Sequence, residues 1–361
     1  MSADGVTKAD VENVLAEFQD PESGRGVVRM EQVHDVRLEG DNLSLTLALT
    51  SYVAPLRDAT RDELVELLRA KLPSLSRVDV QLATHPRPPQ KIGEIGLSCK
   101  SVIVVGSGKG GVGKSTIAAS LAYGLKRAGC NVGLMDADVY GPSIPHLIGV
   151  NERPKIIEEK RIEPIDADGM KVMSMGFLVS PEEAVVWRGP MLHGAITQFL
   201  RDTEWGELDY LIIDMPPGTG DIALTLSQLL PISGAVVVCT PQDVALLDAV
   251  KAITMFRKVN IPLAGMVENM SYFICPDNGK RYEIFGSGGA KLCAEKMDIP
   301  FLGEVPINMQ IRINGDQGRI ASVFDDTDSG PYLQSICQSL VRHLVSDRKA
   351  DPPLPSLSVL G

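Results

Sequence analysis

Residues 108 to 115 read Gly-Lys-Gly-Gly-Val-Gly-Lys-Ser and fit the pattern G-x-x-x-x-G-K-[ST]. An apolar run typical of a buried parallel strand precedes them at 101–105, and apolar residues recur at helical spacing from 116 to 127. In a glycine-rich loop between a strand and a helix, successive backbone N–H groups can point at an anion, and the helix N-terminus adds positive partial charge. The stretch therefore predicts a phosphate loop that binds a nucleoside triphosphate in an α/β fold.

The residue types in this loop assign its chemistry. Lys114 is expected to reach the β- and γ-phosphates, and the Ser115 hydroxyl is expected to bind Mg²⁺. Lys109 is a second lysine near the start of the loop. The predicted phosphate-binding residues are Gly108, Lys109, Gly110, Gly111, Val112, Gly113, Lys114, Ser115 and Thr116.

Carboxylates follow two further apolar runs. Asp136 and Asp138 come directly after the run that ends at Met135, and a second run ends at Asp214. Ligands of parallel sheets bind at the carboxyl ends of the strands. Asp214 matches the Walker B carboxylate that acts on Mg²⁺. Of Asp136 and Asp138, we expect one to help organise the Mg²⁺ shell and the other to orient the attacking water.

Composition limits the class of protein. The chain has 361 residues with 44% hydrophobic content, which is enough for two domains and a sizeable core. A net charge of −11 argues against a non-specific nucleic-acid binder, because no basic field attracts phosphates. No apolar run approaches the roughly 18 residues of a membrane helix, and the N-terminus does not resemble a signal peptide. The six cysteines are scattered, so we expect a cytoplasmic protein with reduced thiols.

The chain is predicted to contain two domains. Residues 1–84 show a helix, two strands, a helix and a strand in succession, which predicts a small α+β domain, and a proline-rich linker covers 85–98. In residues 99–346, short apolar runs alternate with helical or looped stretches, which predicts a doubly wound, mostly parallel sheet. Residues 347–361 are expected to form a disordered tail. The apolar runs lie near 101–105, 131–136, 171–175, 209–214, 235–240 and 262–267.

Several strings resemble the Mrp (ApbC-like) ATPases, which are iron–sulfur cluster carriers of the deviant Walker A group. That group also includes MinD, ArsA and the nitrogenase iron protein. The strings are SGKGGVGKST, DADVYGPS, DYLIIDMPPGTGD, VENMSYF, FGSGG, PIN and GDQG, in this order, over roughly residues 90 to 345. Residues 1–84 resemble the SufT/PaaD-like domain that often precedes such ATPases, with Asp20-Pro21-Glu22 in the expected place.

The resemblance implies a homodimeric ATPase that binds iron–sulfur clusters and transfers them to apoproteins. It implies ATP, Mg²⁺ and a cluster as ligands and slow hydrolysis that switches the dimer. The apolar runs and the acidic charge argue separately against a membrane or nucleic-acid partner. Lys109 would cross the dimer interface to the partner's nucleotide, and Asp138 would orient the water. Asn269 and the segment around Pro306 would lie near the adenine ring, although Asn269 could equally be a capping residue.

The chain departs from the resemblance at the cluster-binding position. Cluster-carrying members present a Cys-x-x-Cys, whereas here Cys275 is followed three residues later by Asn278. A symmetric dimer then offers two thiolates instead of the four that an iron–sulfur cluster wants. Three completions are open: Asp277 as an oxygen ligand, Cys99 or Cys293 folded close to Cys275, or ligands from a partner protein or a small thiol.

Two other functions stay open at this point. The missing second cysteine favours a cluster-free ATPase switch that acts as a regulator, in which Cys275 is an ordinary half-exposed cysteine. The acidic net charge weakens a DNA-binding version of that function. A MinD-like ATPase that visits a membrane usually needs a basic amphipathic helix at one end, and residues 347–361 do not provide one.

Overall fold

The structure is a computed structural model that describes residues 6–157, 161–177, 189–218 and 220–350. The described residues form two compact units. One comprises the residues up to Arg87 together with those from Val341 onward, and the other extends from Pro88 to Leu340. Of the predicted tail, residues 347–350 continue the last helix, and residues 351–361 lie outside the described residues.

The N-terminal unit has the predicted order of helices and strands. Its first helix begins with a capping box, in which Thr7 and Asp10 exchange hydrogen bonds between side chain and backbone. The elements are α1 (Lys8–Glu17), β1 (Val33–Glu39), β2 (Asn42–Leu49), a 3₁₀ segment (Ser51–Leu56), α2 (Arg57–Lys71) and β3 (Arg77–Thr84). The sheet order is β1-β2-β3, with β1 antiparallel and β3 parallel to β2.

Two buried carboxylates of this unit, Asp20 and Glu22, are paired with arginines. Arg87 Nη1 lies 3.3 Å from Asp20 Oδ2 and 3.1 Å from Glu22 Oε2. Arg348 Nη1 lies 3.9 Å from Glu22 Oε1. Burial acts to raise the pKa of Asp20, but hydrogen bonds, led by that from Ser23, and the charge of Arg87 hold this pKa below its ordinary value. Arg87 and Arg348 are thus each tied to a buried carboxylate of the N-terminal unit.

The second unit is built on a ten-stranded sheet with helices between its strands. The strands are β4 (Lys91–Ile92), β5 (Leu97–Gly106), β6 (Val132–Asp136), β7 (Lys155–Ile156), β8 (Ile162–Glu163), β9 (Ile165–Ala167), β10 (Met170–Ser174), β11 (Leu208–Asp214), β12 (Gly234–Cys239), β13 (Leu263–Ile274), β14 (Arg281–Tyr282) and β15 (Phe301–Ile307). The helices are α3 (Lys114–Ala128), α4 (Ile144–Ile148), α5 (Gly189–Asp202), α6 (Gly220–Leu229), α7 (Asp243–Lys258), α8 (Gly289–Lys296), α9 (Met309–Asp316) and α10 (Gly330–Ala350), and a 3₁₀ segment covers Ile320–Phe324.

The sheet confirms the predicted doubly wound, mostly parallel fold. Its order is β14-β13-β12-β5-β11-β6-β10-β9, with β15 paired to β13 and β4 paired to β5. Strands β15, β13, β12, β5, β11, β6 and β10 are parallel to their neighbours in this set, and β4, β9 and β14 are antiparallel additions. Strands β7 and β8 form a separate pair.

All six predicted apolar runs are strands, and the central ones are buried on both faces. Every residue of β6, β11 and β12 is buried, which is what near-continuous apolar runs produce in a parallel sheet covered by helices. Strand β15 was not predicted, because Gly303, Glu304 and Pro306 interrupt its apolar pattern. Such residues are tolerated because β15 pairs with β13 alone.

Strand order determines where a ligand can bind. The chain passes from β5 to β6 on one side of β5, and from β11 across β5 to β12 on the other. This reversal leaves a crevice at the carboxyl end of β5, where ligands of open α/β sheets bind. Among the described residues, no helix combines the length and apolar character that a bilayer crossing requires.

Candidate functional site

The predicted phosphate loop connects β5 to α3 at this crevice. Gly111 and Gly113 both have left-handed backbone with φ of 81°, which favours glycine. An open cavity of about 300 Å³ lies against the loop. The loop residues that line it are Lys109, Gly110, Gly111, Gly113, Lys114, Ser115 and Thr116.

Two other glycines of the loop, Gly108 and Gly110, have different surroundings. A Cβ built on Gly108 would lie 2.1 Å from the backbone carbonyl of Asp248 in α7. A Cβ built on Gly110 would meet no atom within 4 Å. The packing of the protein itself therefore requires Gly108, whereas Gly110 borders open space of the kind a phosphate group can fill.

Lys114 is buried and its ammonium contacts the carboxylate of Asp214. Lys114 Nζ also lies 3.1 Å from Ser115 Oγ and 3.9 Å from Asp138 Oδ2. Burial raises the pKa of Asp214, and Lys114 opposes that rise. The second oxygen, Asp214 Oδ2, is buried and has no hydrogen-bond partner among the described residues. An unpaired buried carboxylate oxygen near a serine hydroxyl fits Mg²⁺, which prefers oxygen ligands.

Asp136 and Asp138 lie at the end of β6 and differ in exposure to the cavity. Asp138 lines the cavity, whereas the fully buried Asp136 accepts three hydrogen bonds. The donors are Asp138 N at 3.0 Å, Ser174 Oγ at 2.9 Å and Ile144 N at 3.2 Å. Burial and the nearby charge of Asp214 raise the pKa of Asp136 to about 8. Asp138 is thus the carboxylate available to a ligand, and Asp136 holds the segment that presents it.

A second cavity of about 360 Å³ adjoins the first and shares part of its lining. Asn269 of β13 and Pro306 of β15 both line it, next to the phosphate loop. The shared residues are Gly113, Thr116, His146 and Leu147, and the wall continues through Met270, Ile307, Asn308, Ile311, Arg312, Gly315 and Asp316. A concave, largely apolar space beside a phosphate cavity has the character of a base-binding site.

Cys275 follows β13 in the turn that leads to β14. Cys275 N donates to Lys280 O at 3.0 Å, and Gly279 N donates to Cys275 O at 2.8 Å. Asn278 Oδ1 accepts a hydrogen bond from Lys280 N at 2.9 Å. The turn is thus closed by its own hydrogen bonds. Cys275 is partly exposed, and the other five cysteines are buried.

The two cysteines considered as further cluster ligands lie in the core. Cys99 is near the start of β5, at the edge of the sheet opposite to the carboxyl ends, and its thiol donates to Ser101 O at 3.1 Å. Cys293 is buried on α8, and burial raises its pKa. No group of three or more His, Cys, Asp or Glu that could hold a metal occurs in the part of the chain that the structure describes. Asp277 and a second molecule are left as sources of further ligands.

Comparison with known proteins places this geometry in a family. The family model described as a NUBPL iron-transfer P-loop NTPase matches residues 98–342, which is more than half of the chain. The chain belongs to this family. A second model, described as an iron–sulfur cluster assembly protein, matches residues 8–82. Both matches confirm the resemblance drawn from the sequence motifs.

Two similar proteins share one description. The iron–sulfur cluster carrier protein of Deinococcus radiodurans is 45% identical over 305 residues, covering 84% of this chain and 86% of its own. The protein of the same name from Escherichia coli K12 is 43% identical over 316 residues, covering 86% and 85%.

Solved structures give the same fold. A nucleotide-binding protein from Archaeoglobus fulgidus, determined in complex with ADP, has 42% identity and a TM-score of 0.56 over 64% of this chain and 90% of its own. The cell division ATPase MinD of Pyrococcus furiosus has a TM-score of 0.50 at 20% identity over 67% of this chain and 98% of its own, which is a likeness of fold.

The structure of this NUBPL-type NTPase brings most of the predicted site residues together. The phosphate loop and Asp138 line one cavity, and Asn269 and Pro306 line the next. Asp214 is buried behind the first cavity, where it contacts Lys114. Cys275 lies further along β13, in the turn that follows the strand. Thr219, which follows Asp214 in the string DYLIIDMPPGTGD, lies outside the described residues.

The sequence did not predict that residues of α4 and α9 line the two cavities. His146 and Leu147 of α4 line both cavities, and Ile311 and Arg312 of α9 line the second. Helix α4 is only five residues long and gives no periodic signal. For α9, the asparagine at 308 that caps the helix through the backbone N–H of residues 310 and 311 was the one available signal.

Proposed function

We propose that this chain binds and hydrolyses ATP at the phosphate loop and uses the cycle to carry iron–sulfur clusters to apoproteins. One observation carries the proposal: a single strand, β13, contacts the phosphate loop through Asn269 and leads directly into the turn that holds the partly exposed Cys275. The names of the relatives from D. radiodurans and E. coli support an iron–sulfur cluster as the cargo. The ADP in the A. fulgidus structure supports nucleotide binding at the phosphate loop.

The ATP chemistry follows from the residues around the loop. Lys114 exchanges its contact with Asp214 for the β- and γ-phosphates, and Lys109 adds a second positive charge. Ser115 and Asp214 would hold Mg²⁺, which neutralises phosphate charge when bound. Asp138, which faces the cavity, orients the attacking water. Hydrolysis is slow, because the cycle serves as a switch.

The working form is a homodimer in the cytoplasm. Lys109 lines the cavity and is partly exposed, and its ammonium has no hydrogen-bond partner among the described residues, so it is available to a nucleotide of the second copy. Each subunit contributes one Cys275 thiolate. The remaining cluster ligands are Asp277 or thiolates from a small thiol or a recipient apoprotein.

Anaerobic reconstitution with iron and sulfide tests the cargo. Iron, labile sulfide and visible absorption per dimer are measured for the wild type and for Cys275→Ala, Asp277→Asn and Asn278→Cys. We expect the wild type to bind a cluster, Cys275→Ala to lose it, and Asn278→Cys to bind more iron by supplying the thiolate that the turn lacks. Loss in Asp277→Asn would identify the oxygen ligand.

A second candidate function is a cluster-free ATPase switch with a regulatory role. It is favoured by the Asn278 side chain, which closes the turn by a hydrogen bond instead of presenting a thiolate. If the wild type and Asn278→Cys both hydrolyse ATP but only the cysteine variant binds iron, this candidate replaces the carrier. Without ATP hydrolysis in the wild type, both candidates are wrong.

A further inference from the structure

We propose that the N-terminal unit contains a binding site for one arginine side chain, formed by Glu22 and Tyr52. Arg348, in the last turn of α10, occupies this site in the free chain, and an arginine of a recipient apoprotein replaces it. The site itself follows from the geometry of the unit. Only the identity of the partner rests on the proposed carrier function.

Buried side chains of the N-terminal unit form the two walls of the site. Tyr52, in the 3₁₀ segment Ser51–Leu56, is fully buried, and the Glu22 side chain is 6% exposed. The guanidinium of Arg348 lies over the Tyr52 ring, with its Cζ 4.5 Å from the ring centroid. Arg348 Nη1 lies 3.9 Å from Glu22 Oε1. All three side chains belong to the same compact unit, so the site is complete within it.

The charges around Glu22 are balanced only when one further cation is present. Asp20 and Glu22 carry two negative charges, and Arg87 supplies one positive charge by pairing with both carboxylates. Glu22 Oε2 accepts a hydrogen bond from Thr50 Oγ1 and pairs with Arg87. Glu22 Oε1 is the oxygen that faces the second cation. Because a buried carboxylate is costly without a charged partner, this place favours a cation.

The geometry selects a guanidinium over an ammonium. A planar guanidinium can stack on the face of an aromatic ring while its N–H groups reach a carboxylate beside that ring. Arg348 makes both contacts, one with Tyr52 and one with Glu22. An ammonium is a compact and strongly hydrated charge, so it cannot make the same flat contact. We therefore expect the site to prefer arginine to lysine.

Arg348 is held weakly enough to be replaced. Its side chain is 30% exposed, and its separation from Glu22 is close to the longest that counts as an ion pair. It lies in the last turn of α10, and helix ends open locally at low free energy. The net charge of −11 on the chain attracts basic partners. A partner's arginine can therefore compete with Arg348 for Glu22 and Tyr52.

Binding of N-acetyl-arginine amide tests the site, with N-acetyl-lysine amide as the matched ligand at equal ionic strength. Dissociation constants are read from the NMR signal of the Tyr52 ring in full-length protein with isotope-labelled tyrosines, and Tyr52→Phe assigns that signal. The wild type is compared with Arg348→Ala and with the control variant Arg342→Ala. Arg342 is a suitable control because it is an exposed arginine of the same helix.

Arg348→Ala should bind the arginine compound at least about fivefold more tightly than the lysine compound, which matches one stacking contact together with one partly exposed ion pair. The wild type and Arg342→Ala should bind the arginine compound at least about fivefold more weakly than Arg348→Ala, because Arg348 occupies their site. In the wild type, a saturating concentration of the arginine compound should speed hydrogen exchange in the last turn of α10, and the lysine compound should not.

Each part of the proposal has an outcome that overturns it. If Arg348→Ala shows no saturable change at Tyr52, or binds both compounds equally well, the arginine site is wrong. Equal affinity of the wild type and Arg348→Ala for the arginine compound would refute the occupation of the site by Arg348. Unchanged hydrogen exchange in the saturated wild type would refute replacement by an external arginine, and this test needs no variant to fold.

These measurements involve neither ATP nor iron, so they are independent of the proposed carrier function. Arginine binding without cluster binding in the reconstitution experiment would leave the site in place and refute a cluster recipient as its partner. Cluster binding without arginine binding would refute the site and leave the carrier function in place.

Discussion

Replacing Gly108 and Gly110 by alanine should separate the two demands on the phosphate loop. In Gly108→Ala the new methyl group would start 2.1 Å from the carbonyl of Asp248, so the loop or α7 must shift. Overpacking of this kind costs about 1–3 kcal/mol of unfolding free energy. For a domain of 150–250 residues, each kcal/mol corresponds to about 2–4 °C in Tm. We therefore expect Gly108→Ala to melt roughly 2–12 °C below the wild type.

Gly110→Ala should behave in the opposite way. Its methyl group meets no protein atom within 4 Å, so the unfolding free energy should stay within about 0.5 kcal/mol of the wild type. The same methyl group borders the phosphate cavity, so ATP affinity should fall at least about tenfold. Thermal unfolding without nucleotide and calorimetric titration with Mg-ATP measure the two effects. A Gly108 variant as stable as the wild type, or a Gly110 variant with unchanged ATP affinity, would refute this reasoning.

Three further predictions address other parts of the chain. Lys114→Ala removes the cation that faces both Asp214 and the phosphates, so ATP hydrolysis should fall to background; retained turnover in a phosphate-release assay would contradict the site assignment. The pKa of Asp20 is lowered in the folded chain, so its stabilisation is present above about pH 4, its ordinary pKa when unfolded, and is lost as the pH falls through the folded value. Urea unfolding of Asp20→Asn should therefore show a shallower loss of stability below that pH than the wild type. Iodoacetamide should label Cys275 first in the folded protein, because the other cysteines are buried, and peptide mapping would reveal any competing site.

The fold was predictable where local chemistry is repetitive. Apolar runs mark the buried strands β5, β6, β11 and β12. The spacing of glycine, lysine and serine in the loop after β5 is specific to phosphate loops. Strand β15 was missed, because Gly303 and Pro306 interrupt its apolar pattern and the sequence does not show its pairing to β13. A local sequence pattern does not show which distant segment of the chain a strand pairs with.

The same limit explains the part of the site that could not be deduced. The resemblance led to Asn269 as a neighbour of the adenine ring, and the sequence alone gave capping as an alternative. Asn269 contacts Val112, which is 157 positions away in the chain. This contact is possible because residue 113 is glycine, which has no Cβ to meet the Asn269 side chain. The residues alone left the roles of Asp136 and Asp138 open, and only the resemblance favoured Asp138 as the residue that orients water. In the structure, Ser174 and Ile144 donate hydrogen bonds to the buried Asp136, whereas Asp138 faces the cavity.

The turn after β13 is closed by its own hydrogen bonds, at the place where the family resemblance implies a second cysteine and this chain has Asn278. A metal centre holds its ligand loop in place, so a loop that loses a ligand residue also loses that constraint. Here Asn278 restores a constraint, since its side chain accepts from Lys280 N, and asparagine favours turns for this reason. The backbone of Cys275 is held from both sides by Lys280 and Gly279. Asn278→Cys should thus lose a local hydrogen bond and gain a thiolate. We therefore expect the metal-free variant to be less stable than the wild type and the reconstituted variant to bind more iron.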